Sequence, residues 1–419
     1  MRLRDEAFDK IINTLNKYNY CILRNFEILP EYENDIDILV EKENKYRIIN
    51  DLNSSLLPIG IELLQIVEFS CTSVFYYDKV INEFIHIDFY DKIRWKIFEY
   101  LDCNIVLSTK IKYRDFFIPN EMYNFYEILL TRLIPQKKVK ENYKSKLYNL
   151  SLKIDTNYKF TKNLKSCIYF ARERRWDKIE ENIFFIKFEI ILQNLLKPEK
   201  IIGNIFSFIV RSINRLLSPP GLFIAFYGVD GSGKSTQIKL LCKELKGFYS
   251  DKIKLFHFRP NIIYKKPKDI IVNDPHNQKK SNFFRALIKL LYYVIIYNWG
   301  YITQILPTLV INGIVIFDRY YFDMIIDPKR YRITGFEPYV NFFKKFIPEP
   351  DINIFLIADP KKIFERKSEI NIDEISRQQK IFNDFVYLKN NFIVNSNENI
   401  HKTLLEIKSI IIEYVKKKN

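Results

Sequence analysis

At 419 residues the chain exceeds what one hydrophobic core usually supports, so two or three domains are expected. Hydrophobic residues at 47% and charged residues at 28% exclude a disordered chain. The net charge of +16 is spread along the sequence, with only short clusters such as Lys137, Lys138, Lys140 and Arg172, Arg174, Arg175; it reads as a solvated basic surface, also suited to polyanionic substrates, and a nucleic-acid partner is not expected.

The predicted elements begin with a helix over Asp5–Lys17, followed by β-like stretches at Tyr20–Arg24, Ile36–Val40, Val74–Tyr77 and Phe84–Tyr90, an α+β pattern over residues 1–119. Residues 120–217 turn helical and lysine-rich, a helical extension and linker. Within it Ile201–Leu217 is apolar but too short to span a bilayer and carries Arg211 and Arg215; it reads as an amphipathic helix, with peripheral membrane contact left open. Ser218-Pro219-Pro220-Gly221 breaks that pattern and marks a junction, with the last domain over 218–419.

Beyond it, strands at 222–227, 253–257, 314–317, 352–357 and 392–394 alternate with helices at 234–246, between 280 and 311, around 360, at 375–390 and at 399–416. Such alternation predicts an α/β fold, a parallel sheet with helices on both faces and ligands at the carboxyl ends of its strands. The apolar run 286–311 is interrupted by Lys289, Asn298, Gly300, Gln304 and Pro307, and reads as a buried domain helix rather than a membrane span. The five cysteines, Cys21, Cys71, Cys103, Cys167 and Cys242, are odd in number and far apart. They suggest reduced thiols in a cytoplasmic protein, and the start Met1-Arg2-Leu3-Arg4 lacks the apolar core of an export signal.

Gly228-Val229-Asp230-Gly231-Ser232-Gly233-Lys234-Ser235-Thr236 satisfies G-x-x-x-x-G-K-[ST] between a strand and a helix. Its backbone N–H groups can cradle a phosphate chain, with Lys234 neutralising β and γ oxygens and Ser235 ligating Mg²⁺, so ATP and Mg²⁺ are the expected cofactors. Asp318-Arg319-Tyr320 ends the strand at 314–317; a carboxylate there suits the metal shell, and the arginine suits a second phosphate or transition-state charge.

With these motifs, the C-terminal half resembles the thymidylate kinase family, of nucleoside monophosphate kinase-like architecture. The resemblance implies that Asp230 reaches the substrate sugar hydroxyl, that Arg319 contacts the acceptor phosphate, and that Arg366 and Arg377 are lid arginines closing over ATP. Pro350-Asp351 to Asp359-Pro360 matches the family's later strand. It also implies a homodimer through kinase-domain helices, for which 286–311 is a candidate. The sequence departs from thymidylate kinases after its second strand, where His257-Phe258-Arg259-Pro260 replaces Arg-Glu-Pro-Gly-Gly-Thr in the loop that shapes the acceptor pocket.

Asn273-Asp274-Pro275-His276 and Asp327-Pro328-Lys329-Arg330-Tyr331-Arg332 resemble a thymidylate-kinase-like subgroup associated with bacterial surface-polysaccharide gene sets. Arg259, Arg330 and Arg332 are candidate acceptor residues, suited to an anionic small molecule, either nucleoside monophosphate-like or a sugar or sugar phosphate. An alternative is a non-catalytic ATP-dependent switch, which needs no acceptor pocket.

In the first region Asn34-Asp35-Ile36-Asp37 puts Asp35 and Asp37 on one face of a strand, and Asp88 lies in another. Three converging carboxylates could hold one or two Mg²⁺ ions for attack on a nucleotide α-phosphate. This resembles the nucleotidyltransferase superfamily, whose Gly-Ser pair upstream of Asp-x-Asp is replaced here by Leu23-Arg24-Asn25-Phe26. Two readings follow: a nucleotidyltransferase acting on nucleic acid or a small molecule, making the chain bifunctional, or a degenerate domain that binds a substrate or partner.

Overall fold

The structure is a computed structural model that describes residues 2–32, 35–155, 162–249, 252–260, 281–368, 370–385, 387–397 and 399–418. The chain divides into two compact units, Met1–Ile213 and Asn214–Asn419.

In the first unit, β1 (Tyr20–Ile22), β2 (Ile36–Val40), β3 (Ile61–Glu68), β4 (Thr72–Asp78) and β5 (Glu83–Tyr90) form one sheet in the order β1-β2-β5-β4-β3. Only β2 and β5 run parallel, and their register sets Asp37 directly opposite Asp88. Alternation decides the faces: Ile36, Ile38, Val40, Ile85, Ile87 and Phe89 enter the core, which sends Asp37 and Asp88 to the other side. The expected strand at Tyr20–Arg24 ends at Ile22, leaving Arg24 free to turn. β3 escaped the sequence reading because a register shift between Leu63 and Gln65 breaks its period of two. Two short hairpins follow, β6 (Ile93–Trp95) with β7 (Phe98–Leu101) and β8 (Ile111–Tyr113) with β9 (Phe116–Ile118). Helices Glu121–Gln136, Glu141–Lys153, Lys162–Arg172, Trp176–Glu181 and Ile183–Leu195 build a separate core around Phe125, Leu129, Leu133, Cys167 and Ile186. Helix Pro198–Leu217 follows them.

In the second unit, β10 (Leu222–Tyr227), β11 (Ile253–His257), β12 (Ile314–Asp318), β13 (Ile352–Ile357) and β14 (Asn391–Asn395) form an all-parallel sheet in the order β11-β12-β10-β13-β14. Every residue of the central β10 is buried, as a sheet covered on both faces requires. Helices Lys234–Glu244 and Ile400–Lys418 cover one face; Leu290, Tyr293 and Tyr297 of helix Phe283–Gly300 meet Phe223, Ala225 and Phe317 on the other. The apolar 286–311 run is one helical column whose turn widens at Tyr301–Ile305, ahead of Pro307. Among the described residues no helix is long and apolar enough to cross a membrane. Phe226 on β10 pairs with Asp318 on β12, so the glycine-rich loop and Asp318 leave the sheet at the same carboxyl edge.

Candidate functional site

Close backbone approach shapes the loop after β10. A Cβ added at Gly228 would lie 2.6 Å from Ser232 Oγ and 2.9 Å from the Leu356 carbonyl, so only glycine fits there. Gly233 has φ 92° and turns the chain into helix Lys234–Glu244, whose N-terminal N–H groups face the same space. Lys234 is 5% exposed; its Nζ donates to the carbonyls of Gly228 at 2.7 Å and Val229 at 3.0 Å and lies 3.7 Å from Asp230. Burial and then the positive charge of Arg319 bring its pKa down to about 8.

The Ser235 hydroxyl donates to Asp318 Oδ2 at 3.3 Å, while Asp318 Oδ1 and Ser232 Oγ are buried and find no hydrogen-bond partner among the described residues. A hydroxyl beside a carboxylate with an unused buried oxygen is the hard, all-oxygen donor set that fits Mg²⁺. The loop, with Arg366, Lys367, Ser396 and Thr403, lines a cleft of about 520 Å³.

A chain of charges continues from the loop. Arg319 is 3% exposed and has the left-handed φ of 69°, held by its N–H to the Phe226 carbonyl at 2.9 Å. Its guanidinium forks onto both oxygens of Asp323 at 2.9 Å and reaches Asp230 Oδ1 at 2.5 Å. Arg330 takes the other oxygen of Asp230 at 2.5 Å, and the Tyr331 hydroxyl donates to Asp323 at 2.7 Å. Burial alone would raise the Asp230 pKa, but Arg319, Lys234 and Arg330 together hold it far below the usual carboxylate range.

Lys234, Ser235, Asp318, Asp230, Arg319 and Arg330 therefore come together, and Arg366 lines the cleft. Arg377 instead lies along its own helix, bonded to Glu374 at 2.6 Å and to the Ile326 carbonyl at 2.9 Å. Arg259 is exposed and donates to the Tyr292 hydroxyl at 3.3 Å; Arg332 is also exposed. Asn273–His276 lies outside the described residues. Asp351 serves structure, accepting from the Phe223 N–H at 2.9 Å and the Tyr414 hydroxyl at 3.0 Å. The sequence reading missed Asp323 and the role of Tyr331; the signal available was an aspartate four residues after Arg319, the spacing of one helical turn.

The family model described as thymidylate kinase matches residues 226–407. A thymidylate kinase of Thermosipho africanus (strain TCF52B) is 30% identical over 211 residues, which are 46% of this chain and 99% of that protein. Through this region the chain belongs to the thymidylate kinase family. A thymidylate kinase of Finegoldia magna is also 30% identical, over 47% of this chain and 99% of its own length. A crystal structure of thymidylate kinase from Ehrlichia chaffeensis aligns at 20% identity with a TM-score of 0.31, over 46% of this chain and 98% of that one.

Outside the thymidylate kinase region, the first unit holds a second charged constellation. Asp35, Asp37 and Asp88 each offer an oxygen, all within 4.8 Å of one another. Arg24 occupies the turn after β1 and forks onto Asp37 at 2.6 and 2.5 Å, with its remaining nitrogen 3.1 Å from Glu127. Asp88 accepts from Ser73 at 2.6 Å and lies 2.9 Å from His86 Nε2. Burial, then Asp37 and Asp88, push the Asp35 pKa up to about 6.

A bound phosphate chain would raise the pKa of Lys234 above its ligand-free value near 8, so above that pH binding must take up a proton. ATP affinity measured by calorimetry should therefore be flat below pH 8 and fall up to about tenfold per pH unit above it. Affinity independent of pH between 7.5 and 9.5 would contradict this coupling.

Proposed function

We propose that the thymidylate kinase unit transfers the γ-phosphoryl of Mg-ATP to a phosphate-bearing acceptor, a nucleoside monophosphate first among them. One observation carries the reading: a single carboxylate, Asp230, is shared by Lys234 on the phosphate loop and by Arg319 and Arg330 beside it. A donor cradle and a two-arginine grip for a second phosphate are therefore adjacent, whereas a nucleotide switch needs only the first.

An acceptor phosphate oxygen would form a bond to the γ-phosphorus as the bond from that phosphorus to the β–γ bridging oxygen breaks, leaving ADP. Lys234, exchanging the carbonyls of Gly228 and Val229 for phosphate oxygens, would balance charge on the donor side. Arg319 and Arg330 would orient the acceptor phosphate, and Asp230 its sugar hydroxyl. Ser235 and Asp318 would hold Mg²⁺, which when bound supplies charge neutralisation on the donor oxygens. An ionised phosphate needs no proton acceptor, while a neutral sugar hydroxyl does. With its pKa held so low, Asp230 is poorly suited to that task, which favours a phosphate nucleophile over a free sugar. The replaced acceptor loop at 257–260 leaves bases other than thymine open, and a sugar phosphate is the second candidate.

Phosphorus NMR with Mg-ATP and pooled nucleoside monophosphates or sugar phosphates should show a new phosphorylated species. Lys234→Ala should reduce its rate by roughly a thousandfold with an unchanged circular-dichroism spectrum. Undiminished turnover in that variant would remove Lys234 from the mechanism.

We also infer a homodimer through helix Phe283–Gly300. Its inward side buries Leu290, Tyr293 and Tyr297, yet Ile288, Leu291, Ile295 and Trp299 form a second apolar stripe that is exposed. Light scattering should report a dimer that Ile295→Glu converts to a monomer; a wild-type monomer would dismiss the interface.

For the first unit the convergence of three carboxylates supports a divalent-cation site, with nucleotidyl transfer as the more specific reading. Calorimetric Mn²⁺ binding should be lost in Asp37→Ala, and pyrophosphate released from a nucleoside triphosphate would establish the transferase. Cation binding without pyrophosphate would favour a degenerate binding domain.

A further inference from the structure

We propose that helices Ile183–Leu195 and Pro198–Leu217 rest on an anionic membrane surface. The observation is an inversion. Pro198–Leu217 packs its polar side on its own unit: Asn204, 1% exposed, donates to the Ile97 carbonyl at 3.0 Å and to Glu99 at 3.1 Å, and accepts from Lys92 at 2.9 Å. The opposite side carries Ile202, Phe206, Ile209 and Ile213, spaced at helical intervals and all exposed, Phe206 by 69%. A helix of a globular protein buries such a stripe. Ile183–Leu195 is apolar on both sides, with Ile186, Ile190 and Asn194 inward and Phe184, Phe188, Leu192 and Leu195 exposed outward. Each of two consecutive helices therefore exposes an apolar stripe without a charged residue in it, and neither helix is long and apolar enough to span a bilayer.

Charge complementarity selects the occupant. Residues 183–213 contain Lys187, Lys197, Lys200 and Arg211 against Glu189 and Glu199. The β6–β7 hairpin adds Trp95, whose ring has Lys187 Nζ at 5.2 Å and Lys96 Nζ at 5.6 Å from its centre. Burial and the neighbouring charges of Lys137 and Lys96 hold the Lys187 pKa below its ordinary value. A tryptophan flanked by mutually repelling lysines beside an apolar helix face suits the interface of anionic lipid, where each cation gains and the apolar stripes leave water.

The full chain should co-sediment with vesicles of equimolar phosphatidylcholine and phosphatidylglycerol, and bind pure phosphatidylcholine roughly 100-fold more weakly. Phe188→Glu/Phe206→Glu should abolish capture without lowering the melting temperature, since both side chains project outward. Should that variant misfold, Lys96→Glu/Lys187→Glu decides, because it should lose the preference for the anionic vesicles with the apolar stripes intact. Equal capture by both vesicle types would overturn the proposal, as would wild-type capture by the double phenylalanine variant. So would a lipid-free dimer that this variant dissociates, which would assign the face to a second copy of the chain.

Discussion

A desolvated ammonium group at the carboxyl edge of a parallel sheet is the constraint on which the C-terminal unit depends. Lys234 is buried, and the nearest compensation is local: two loop carbonyls and the Asp230 carboxylate. Such a charge persists only where backbone dipoles and acids surround it, and a polyanion at the same place relieves the same cost. The glycine at 228 and the left-handed turn at Gly233 exist to bring those carbonyls and the helix N-terminus within reach.

The second consequence of that charge is the arrangement of its neighbours. Arg319 and Arg330 would repel Lys234 if unpaired. Asp230 between the three cations, with Asp323 behind Arg319, turns repulsion into a connected network. The network is pre-organised, since Asp323, itself held by Tyr331, fixes the plane of the Arg319 guanidinium. The strained backbone at Arg319 belongs to the same device: it aims the side chain from the end of β12 back toward the loop after β10.

The first unit solves a related problem with the opposite sign. Three acids meet over a β2–β5 pair, and Arg24, from the turn after β1, partly neutralises them by forking onto Asp37. Burial first, and then the charges of Asp37 and Asp88, still raise the Asp35 pKa to about 6. A cation at this site would therefore work alongside a built-in guanidinium rather than in an open acidic pocket.

The amino-acid sequence by itself determined the features that depend on neighbours along the chain. The phosphate loop was legible because nine successive residues specify its glycines, its lysine and the helix that follows. The parallel sheet was legible from the alternation of strands and helices, and the opposition of Asp37 and Asp88 was half legible from period two. What only the tertiary structure decided concerns partners distant in sequence or faces whose direction the pattern leaves free. Arg330 reaches Asp230 across one hundred residues, Arg24 takes Asp37 and Glu127, and Arg377 turns onto Glu374 instead of into the cleft. An amphipathic pattern shows that helix Pro198–Leu217 has two faces, but whether the polar or the apolar one meets the protein depends on what waits there, and Asn204 found Lys92, Ile97 and Glu99.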